Sequence, residues 1–263
     1  MEWRAFAVAW CGIAGKVSWN WTVSAITAGR IALVRYIYVD IVKFTLDCSV
    51  EAQVAIMESL SRCVRQTLAA FELGGDQVVY LPTGDGVCIC LIDQREPYDL
   101  DIRIAVMLLE SVYALSLAEV EEESRYAIRV GLNENQDNVV VDIGGRRRNF
   151  VGLGVNNAQR LMSLAAPFQL LMGPSVYQRL AQRRLYRPYL YSLQGIVKHG
   201  KRVLCYGYHD PGLACFASAS MRRPGDAVDG ATAARPVSAP LQLPLGEPRR
   251  AAGEDRPRTS FKI

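Results

Sequence analysis

The sequence predicts an α+β fold with a largely antiparallel sheet, and three observations support this prediction. Two apolar runs flank a glycine-containing break at Pro82 to Gly86, which is the pattern of a β-hairpin. Two longer segments repeat apolar residues every three or four positions, as amphipathic helices do. Strands and helices also mix without the strict alternation that a parallel sheet requires, so a mixed architecture is expected.

The first predicted strand covers residues 31–39, an almost unbroken apolar run rich in β-branched and aromatic residues. Such a run is typical of a strand that is buried on both faces. Asp40 follows where this strand should end, and an acid there requires water, a partner or a cation. The residues alone leave two interpretations open, a turn acid and a metal ligand.

A second acid, Asp85, lies between two glycines in the predicted hairpin turn, where a positive φ is expected. By itself this segment is consistent with a plain hairpin. Two acids on neighbouring strand ends could, however, hold two divalent cations about 3.5–4 Å apart, as in-line phosphoryl chemistry requires.

The remaining elements follow from periodicity and punctuation. A long helix is predicted from Ser49 to Leu73, capped by Asp47 or Ser49 and ended by Gly74-Gly75. A second helix is predicted from Tyr98 to Leu117, followed by an acidic linker. The later predictions are strands at 126–132 and 139–143 around a polar loop at 133–138, a Gly/Arg loop at 144–148, a strand at 168–172, a short helix at 174–182 and a hairpin at 196–208.

Between these elements, residues 154–162 open a helix that carries Asn156 and Arg160. The two residues are four positions apart, so they share one face of the helix. An amide and a guanidinium can together hold a sugar and neutralise a phosphate in a transition state. A solvated helix face is the alternative interpretation of such a pair.

The two ends of the chain differ from the middle. Residues 1–30 are rich in tryptophan, but Arg4, Lys16 and Asn20 interrupt them, so neither a membrane span nor a signal peptide is predicted. We expect an appendage of uncertain order there, with a weak membrane-surface element as the alternative. Residues 211–263 are dominated by Pro, Ala, Gly and Arg and predict a disordered tail. The functional domain is therefore expected at 31–210.

Composition excludes some classes of function. The chain has 30 basic and 26 acidic residues, and a net charge of +4 is too small to indicate a nucleic-acid partner. The 7 cysteines show no metal-ligand spacing and the chain has only 2 histidines, so zinc is not expected. Free thiols of this kind are typical of a reducing cytoplasm.

Four motifs in register resemble the class III nucleotidyl cyclases, the family of adenylyl and guanylyl cyclases, over roughly 31–210. They are Val39-Asp40-Ile41 with Phe44-Thr45, the Gly84-Asp85 hairpin, Ile128-Arg129-Val130-Gly131, and Val155-Asn156-x-Ala158-x-Arg160-Leu161. The resemblance implies a ferredoxin-like core within the sheet. The tyrosine-rich first strand and the Pro-Thr-Gly-Asp-Gly hairpin more narrowly resemble the stand-alone pyrimidine cyclases of bacterial antiphage defence.

The resemblance implies that the 3′-hydroxyl of a nucleoside triphosphate attacks its own α-phosphate and releases pyrophosphate. It assigns two Mg²⁺ or Mn²⁺ ions to Asp40, Asp85 and the carbonyl of Ile41, an oxygen donor set that suits such ions. It also implies phosphate binding by a further set of residues. These are Phe44, Thr45, Arg129, and one of Lys198 and Lys201.

Asn156 and Arg160 are the catalytic residues that the resemblance implies, and they would come from the opposite protomer. A head-to-tail homodimer would then carry two composite sites. The resemblance further implies a separate effector that binds the cyclic nucleotide.

Base recognition is where the chain departs from the adenylyl pattern. Leu81 stands where a lysine is usual, and Asn149 stands where an aspartate or threonine is usual. With Tyr80 as a third lining residue, we expect UTP as the substrate, in preference to CTP, and cyclic UMP as the product. The alternatives are a cytidylate or purine cyclase, a module that binds nucleotide without turnover, and a palm-like domain that processes nucleic acid.

Overall fold

The computed structural model describes residues 30–44, 48–142, 144–145, 147–197, 201–217 and 231–236. The strands are β1 (Arg30–Ile41), β2 (Val78–Pro82), β3 (Gly86–Ile92), β4 (Ile128–Val141), β5 (Arg148–Val151), β6 (Leu170–Met172), β7 (Leu190–Val197), β8 (Lys201–Tyr208) and β9 (Ala231–Pro236). The helices are α1 (Val50–Ala70), α2 (Leu100–Ala118), α3 (Gly154–Leu164), α4 (Pro174–Ala181) and α5 (Ala214–Ala217). The predicted appendage lies outside the described residues, except that Arg30 begins β1.

The strands form one sheet in the order β2-β3-β1-β4-β6-β8-β7-β9, with β5 paired to β4. Every pairing is antiparallel except β4 with β6, which is parallel. This mixed sheet with helices packed on it confirms the predicted α+β fold class.

Strand β1 lies in the middle of this sheet, and its alternate residues face two separate cores. Ile37, Val39 and Ile41 pack with the buried faces of α1, α2 and α4. Tyr36 and Tyr38 lie on the other face, where they pack with residues of α3. We call these the α1/α2 face and the α3 face. Burial on both sides explains why the sequence of β1 is apolar without a period of two.

Helix α1 begins as expected, and the apolar stripe predicted for it is buried only in part. Ser49 caps it by accepting a hydrogen bond from Ala52 N–H at 3.2 Å. Leu60, Val64 and Leu68 are buried, in agreement with the predicted apolar stripe. Val50 and Val54, which belong to the same predicted stripe, are exposed.

The prediction of a loop at 133–138 is wrong, because β4 continues through these polar residues without a break. Residues 133–138 pair in register with residues 31–36 of β1. Asn133 and Asp137 are buried there, at 6% and 2% exposure. A polar strand is possible because these side chains form hydrogen bonds on the α3 face, as described below.

The predicted domain boundary at residue 210 is too early. Phe216 is 2% exposed and Cys215 is fully buried, and both belong to the core on the α1/α2 face. The Phe216 ring contacts Tyr208 edge-on, with a centroid distance of 5.7 Å. Backbone of 231–236 also pairs with β7. The Pro- and Ala-rich composition concealed this short packed helix. Among the described residues, no helix is long and apolar enough to cross a membrane.

Candidate active site

Asp40 and Asp85 lie side by side where β1 ends and β3 begins, at the same end of these two neighbouring strands. In the β1–β3 register Asp40 faces Gly86, the residue after Asp85. The Ile41 N–H also donates a hydrogen bond to the Asp85 carbonyl oxygen at 3.3 Å. Alternation along β1 directs the Asp40 side chain to the α3 face. The sequence separates these acids by a helix and a strand, and the register of the hairpin brings them together.

Gly86 makes this approach possible. A Cβ atom at this position would collide with the Val39 carbonyl oxygen and crowd the Thr83 hydroxyl. Gly84, on the other side of Asp85, has a φ of +92°, which favours glycine. The two glycines therefore allow the turn to pack closely against β1, which places Asp85 next to Asp40.

The electrostatics of the pair reflect this proximity. Asp40 is 7% exposed as a residue, and burial raises its pKa above the ordinary value. Arg129 opposes this shift of the pKa, while the Asp85 carboxylate raises the pKa further. Two carboxylates held together in this way repel one another, and a cation between them would relieve the repulsion.

The predicted metal ligands fit divalent cations by chemistry. Asp40 and Asp85 offer carboxylate oxygens, and Ile41 is at the end of β1 next to both. Hard oxygen ligands of this kind suit Mg²⁺ and Mn²⁺. Within the described ranges, no group of three or more His, Cys, Asp or Glu side chains could hold a metal. A site here would therefore depend on two acids and on oxygens from backbone, water or substrate.

Arg129 contacts Asp40 directly, whereas the sequence resemblance implies a contact with phosphate. Its Nε and Nη2 atoms each lie 2.8 Å from Asp40 Oδ2. The two residues are cross-strand partners in the β1–β4 pairing. Phosphate binding by Arg129 stays a prediction, and it would require the guanidinium to share or exchange this partner.

The loop after β1 is described only in part. Lys43 has a φ of 60°, and Phe44 packs against the core on the α1/α2 face. A cavity of about 640 Å³ lies behind this loop, lined by Phe44, Ile56 and Phe168 among others. Because Ile56 belongs to α1, this cavity is on the face opposite the Asp40 side chain, although the proposed metal ligand Ile41 and the predicted phosphate residue Phe44 both line it. Thr45 and Lys198 lie outside the described residues, and Lys201 begins β8.

Asn156 and Arg160 are both exposed on α3. Arg160 Nη1 donates a hydrogen bond to Asn157 Oδ1 at 3.1 Å. No described hydrogen bond or ion pair joins either residue to Asp40 or Asp85 of the same chain. Helix α3 buries Ala158 and Met162 against the sheet, so its opposite face is the one that presents the amide and the guanidinium.

The three predicted base-recognition residues do not share one surface. Leu81 faces Cys88 across the β2–β3 pairing and packs on the α3 face, with Asp40. Tyr80 points to the α1/α2 face, where it is 43% exposed near Arg65 of α1. Tyr80, which is expected to line the base site with Leu81, therefore lies on the opposite face of the sheet from Leu81, because side chains alternate along a strand. Asn149 is exposed on β5, and its Oδ1 accepts from the Phe150 N–H at 2.8 Å.

Neither Asn133 nor Asp137 is predicted as a site residue from the sequence, and both lie buried under the start of α3. Asn133 Nδ2 donates to the Gly154 carbonyl oxygen at 3.1 Å, and Gly154 N–H donates to Asp137 Oδ2 at 3.0 Å. Their polar character had indicated a loop. The signal that could have revealed them is the pairing of this run with the apolar β1, in which alternate polar residues fall on the α3 face.

The fold is similar to that of several solved nucleotidyl cyclase domains. The guanylate cyclase domain of RhGC from Catenaria anguillulae in complex with GTP is 18% identical, with a TM-score of 0.53, and covers 67% of this chain and 96% of its own. The adenylyl cyclase CyaB from P. aeruginosa is 16% identical, with a TM-score of 0.53, and covers 69% of this chain and 95% of its own.

A third similar structure is the catalytic core of a rhodopsin-guanylyl cyclase with converted specificity, in complex with ATPalphaS. It is 18% identical, with a TM-score of 0.54, and covers 68% of this chain and 96% of its own. No protein-family model and no curated protein matches the sequence. The fold is therefore that of the class III nucleotidyl cyclase domains, as the sequence resemblance implied.

Proposed function

We propose that this chain is a nucleotidyl cyclase that converts UTP to 3′,5′-cyclic UMP and pyrophosphate. The observation that carries the proposal is the placement of Asp40 beside Asp85 at one edge of the sheet, within a cyclase fold. In-line attack of a ribose hydroxyl on the α-phosphate needs positive charge at this position, because negative charge develops on both oxygens.

Asp40, Asp85 and the Ile41 carbonyl would hold Mg²⁺ or Mn²⁺ in this proposal. When bound, such ions lower the pKa of the attacking hydroxyl and neutralise charge on the leaving pyrophosphate. Arg129 of the same edge would contact the triphosphate once the nucleotide arrives, which is consistent with its 31% side-chain exposure. Phe44, Thr45, and Lys198 or Lys201 would supply further phosphate contacts.

Asn156 and Arg160 would complete the site of a second protomer. The Asn156 amide would orient the ribose, and the Arg160 guanidinium would stabilise the charge of the transition state. Their exposure on α3, with no described hydrogen bond or ion pair to Asp40 or Asp85 of their own chain, supports donation to a partner. Exposed apolar side chains at Val151 and Leu153, 58% and 63% exposed just before α3, support burial of this surface in a homodimer.

A pyrimidine substrate is proposed from the residues that would read the base. Leu81 on the α3 face provides no charged donor for adenine. Asn149 can both donate and accept, so it can pair with uracil or cytosine. The choice of UTP, and a role of cyclic UMP as a messenger to a separate antiphage effector, follow from the narrower sequence resemblance. No disulfide joins the cysteines of the described residues, and a reducing cytoplasm is the compartment that we propose.

A purine cyclase is the second candidate. It is favoured by the similar structures, two of which contain GTP or ATPalphaS. Incubation of the purified chain with UTP, CTP, ATP or GTP and Mn²⁺ separates the candidates by the cyclic nucleotide that forms. Dominant cyclic AMP or cyclic GMP would replace the pyrimidine proposal. Absence of any cyclic product, with tight nucleotide binding, would favour a module without turnover.

A further inference from the structure

A buried polar cluster joins β4 to the first residue of α3. The Asp137 carboxylate, on a residue that is 2% exposed, accepts a hydrogen bond from the Tyr36 hydroxyl at 2.6 Å and from Gly154 N–H at 3.0 Å, both on Oδ2. Its other oxygen accepts from Asn135 Nδ2. Three donors therefore satisfy an acid that would otherwise be costly to bury.

Gly154 is held from both sides of its backbone. Its N–H donates to Asp137, and its carbonyl oxygen accepts from Asn133 Nδ2 at 3.1 Å. A side chain at this position would collide with the Asp137 carboxylate and the Tyr36 ring, so the helix starts in direct contact with the sheet. This contact lies two residues before Asn156 and six before Arg160.

Asp137 also supplies the hydrogen-bond acceptor that the N-cap residue of α3 does not provide. Leu153 is the N-cap residue of α3 and provides no side-chain hydrogen bond to the first turn. The first amides of a helix need acceptors, and a carboxylate at this end is favoured by the helix dipole. In α3 the acceptor comes from a strand 17 residues earlier in the chain. The position of the helix is therefore fixed relative to β4 and β1.

We propose that Asp137 is a positioning residue for the cyclase reaction. It sets the location of α3, and through α3 it places Asn156 and Arg160 against the acids of the partner protomer. This inference rests on the proposed function. A displacement of about 1 Å in such groups lowers a rate by about 100-fold, so a fixed helix start has direct consequences for turnover.

Asp137→Asn tests the proposal with little change of volume. The amide is neutral and offers one oxygen where the carboxylate offers two, so the hydrogen bonds from Tyr36 and Gly154 lose their charged acceptor even where the amide oxygen faces them. Asp101→Asn is the matched control. Asp101 is fully buried, binds Arg179 at 2.6 Å and lies on α2, away from α3. Both variants lose stability, but only Asp137→Asn should release α3.

Hydrogen exchange measures this release without reference to activity. In Asp137→Asn, exchange of the amides at the start of α3 should accelerate about tenfold more than in Asp101→Asn. Unchanged exchange there, relative to the rest of the sheet, would overturn the proposal. This measurement stands even if the chain shows no cyclase activity, which would instead remove the proposed function.

Subunit mixing then shows which half of the site Asp137 serves. Asp137→Asn should lower kcat by about 100-fold with a smaller change of KM, because Asn156 and Arg160 act in the transition state. Mixed with Asp40→Ala, it should recover about a quarter of wild-type activity, since half the dimers are mixed and each has one intact site. Mixed with Arg160→Ala, it should recover none.

Recovery with Arg160→Ala, and not with Asp40→Ala, would assign Asp137 to the metal side and overturn the proposal. A mixture of Arg160→Ala and Asp40→Ala is the control for the composite site itself. If that control stays inactive while the wild type cyclises nucleotide, the shared site is wrong. The exchange measurement then decides separately whether Asp137 fixes α3.

Discussion

Arg129 binds Asp40 through two nitrogens, Nε and Nη2, each 2.8 Å from the same carboxylate oxygen. The guanidinium thus binds a carboxylate that is also a proposed metal ligand. The same side chain is predicted to contact the triphosphate. If both assignments hold, Arg129 exchanges Asp40 for phosphate as substrate and cation bind together.

Arg129→Ala should therefore change metal and nucleotide binding in opposite directions. Without nucleotide, Mn²⁺ should bind more tightly, because the cation no longer competes with a bound guanidinium for Asp40. The KM for the triphosphate should rise about tenfold, since a charge-assisted contact is lost. Mn²⁺ titration by calorimetry and steady-state kinetics measure the two effects. Arg125→Ala, an exposed arginine in the loop before β4, is the matched control. Weaker Mn²⁺ binding in Arg129→Ala would contradict the exchange.

Asp85→Asn should abolish turnover and stabilise the metal-free protein at pH 7 by about 1 kcal/mol. The pKa of Asp40 is raised by burial and by Asp85, so folding favours its protonated form. The wild type consequently loses stability as pH rises from the unfolded-state pKa through the folded-state pKa. The gain should shrink as pH falls through the raised pKa of Asp40 toward the ordinary aspartate value of about 4, because a protonated Asp40 no longer repels Asp85.

Thermal unfolding in a chelator at pH 4 and pH 7 measures this difference. Glu58→Gln, which removes an exposed carboxylate from α1, controls for the change of net charge. An equal gain in both variants, or a loss of stability in Asp85→Asn at pH 7, would show that repulsion between the two acids is absent.

Gly86→Ala should lower kcat by at least about 100-fold. Its new methyl group would meet the Val39 carbonyl oxygen, so the turn must move away from β1 and carry Asp85 with it. Overpacking of this kind also costs about 1–3 kcal/mol of stability. Gly74→Ala is the control, because that position has open space and an extended φ of −176°. Retention of full activity in folded Gly86→Ala would mean that the spacing of the acids is not critical.

A chain that ends at Gly212 should be less stable than one that ends at Ala217. Only the longer chain retains Phe216, which is 2% exposed in the core, and removing a buried phenylalanine costs about 3–5 kcal/mol. Both chains lack β9, so its contribution cancels in the comparison. Denaturant unfolding of the two chains, with the full chain as reference, gives the difference. Equal midpoints would show that the domain ends near residue 210 after all.

Much of the architecture could be predicted from local signals. The buried strand β1, the hairpin turn with its glycines, and the helices α1, α2 and α4 follow from apolar periodicity and caps, which act over a few residues. Polar β4 could not be predicted, because Asn133 and Asp137 are tolerated only through hydrogen bonds to Gly154 and Tyr36. Those partners lie up to 101 residues away in the chain.

The same distinction applies to the site. The acids were found because a carboxylate at the end of an apolar run is conspicuous. The pairing of Arg129 with Asp40 depends on strand register, across 89 residues, and no local pattern reports it. The face of the sheet to which Tyr80 points could not be predicted either. Its direction depends on the alternation of side chains along β2 and on the pairing of β2 with β3. Phe216 was missed because a single short helix carries too few residues for a period.

The central position of β1 has a consequence for synthesis of the chain. Its partner β3 begins only at Gly86, after α1 and β2 have been synthesised. Its other partner, β4, ends only at Val141. A ribosome adding about 5–20 residues per second therefore leaves this apolar strand with an unpaired edge for several seconds. A strand of this kind is prone to pair with other chains, so nascent β1 is the segment where chaperone binding should begin.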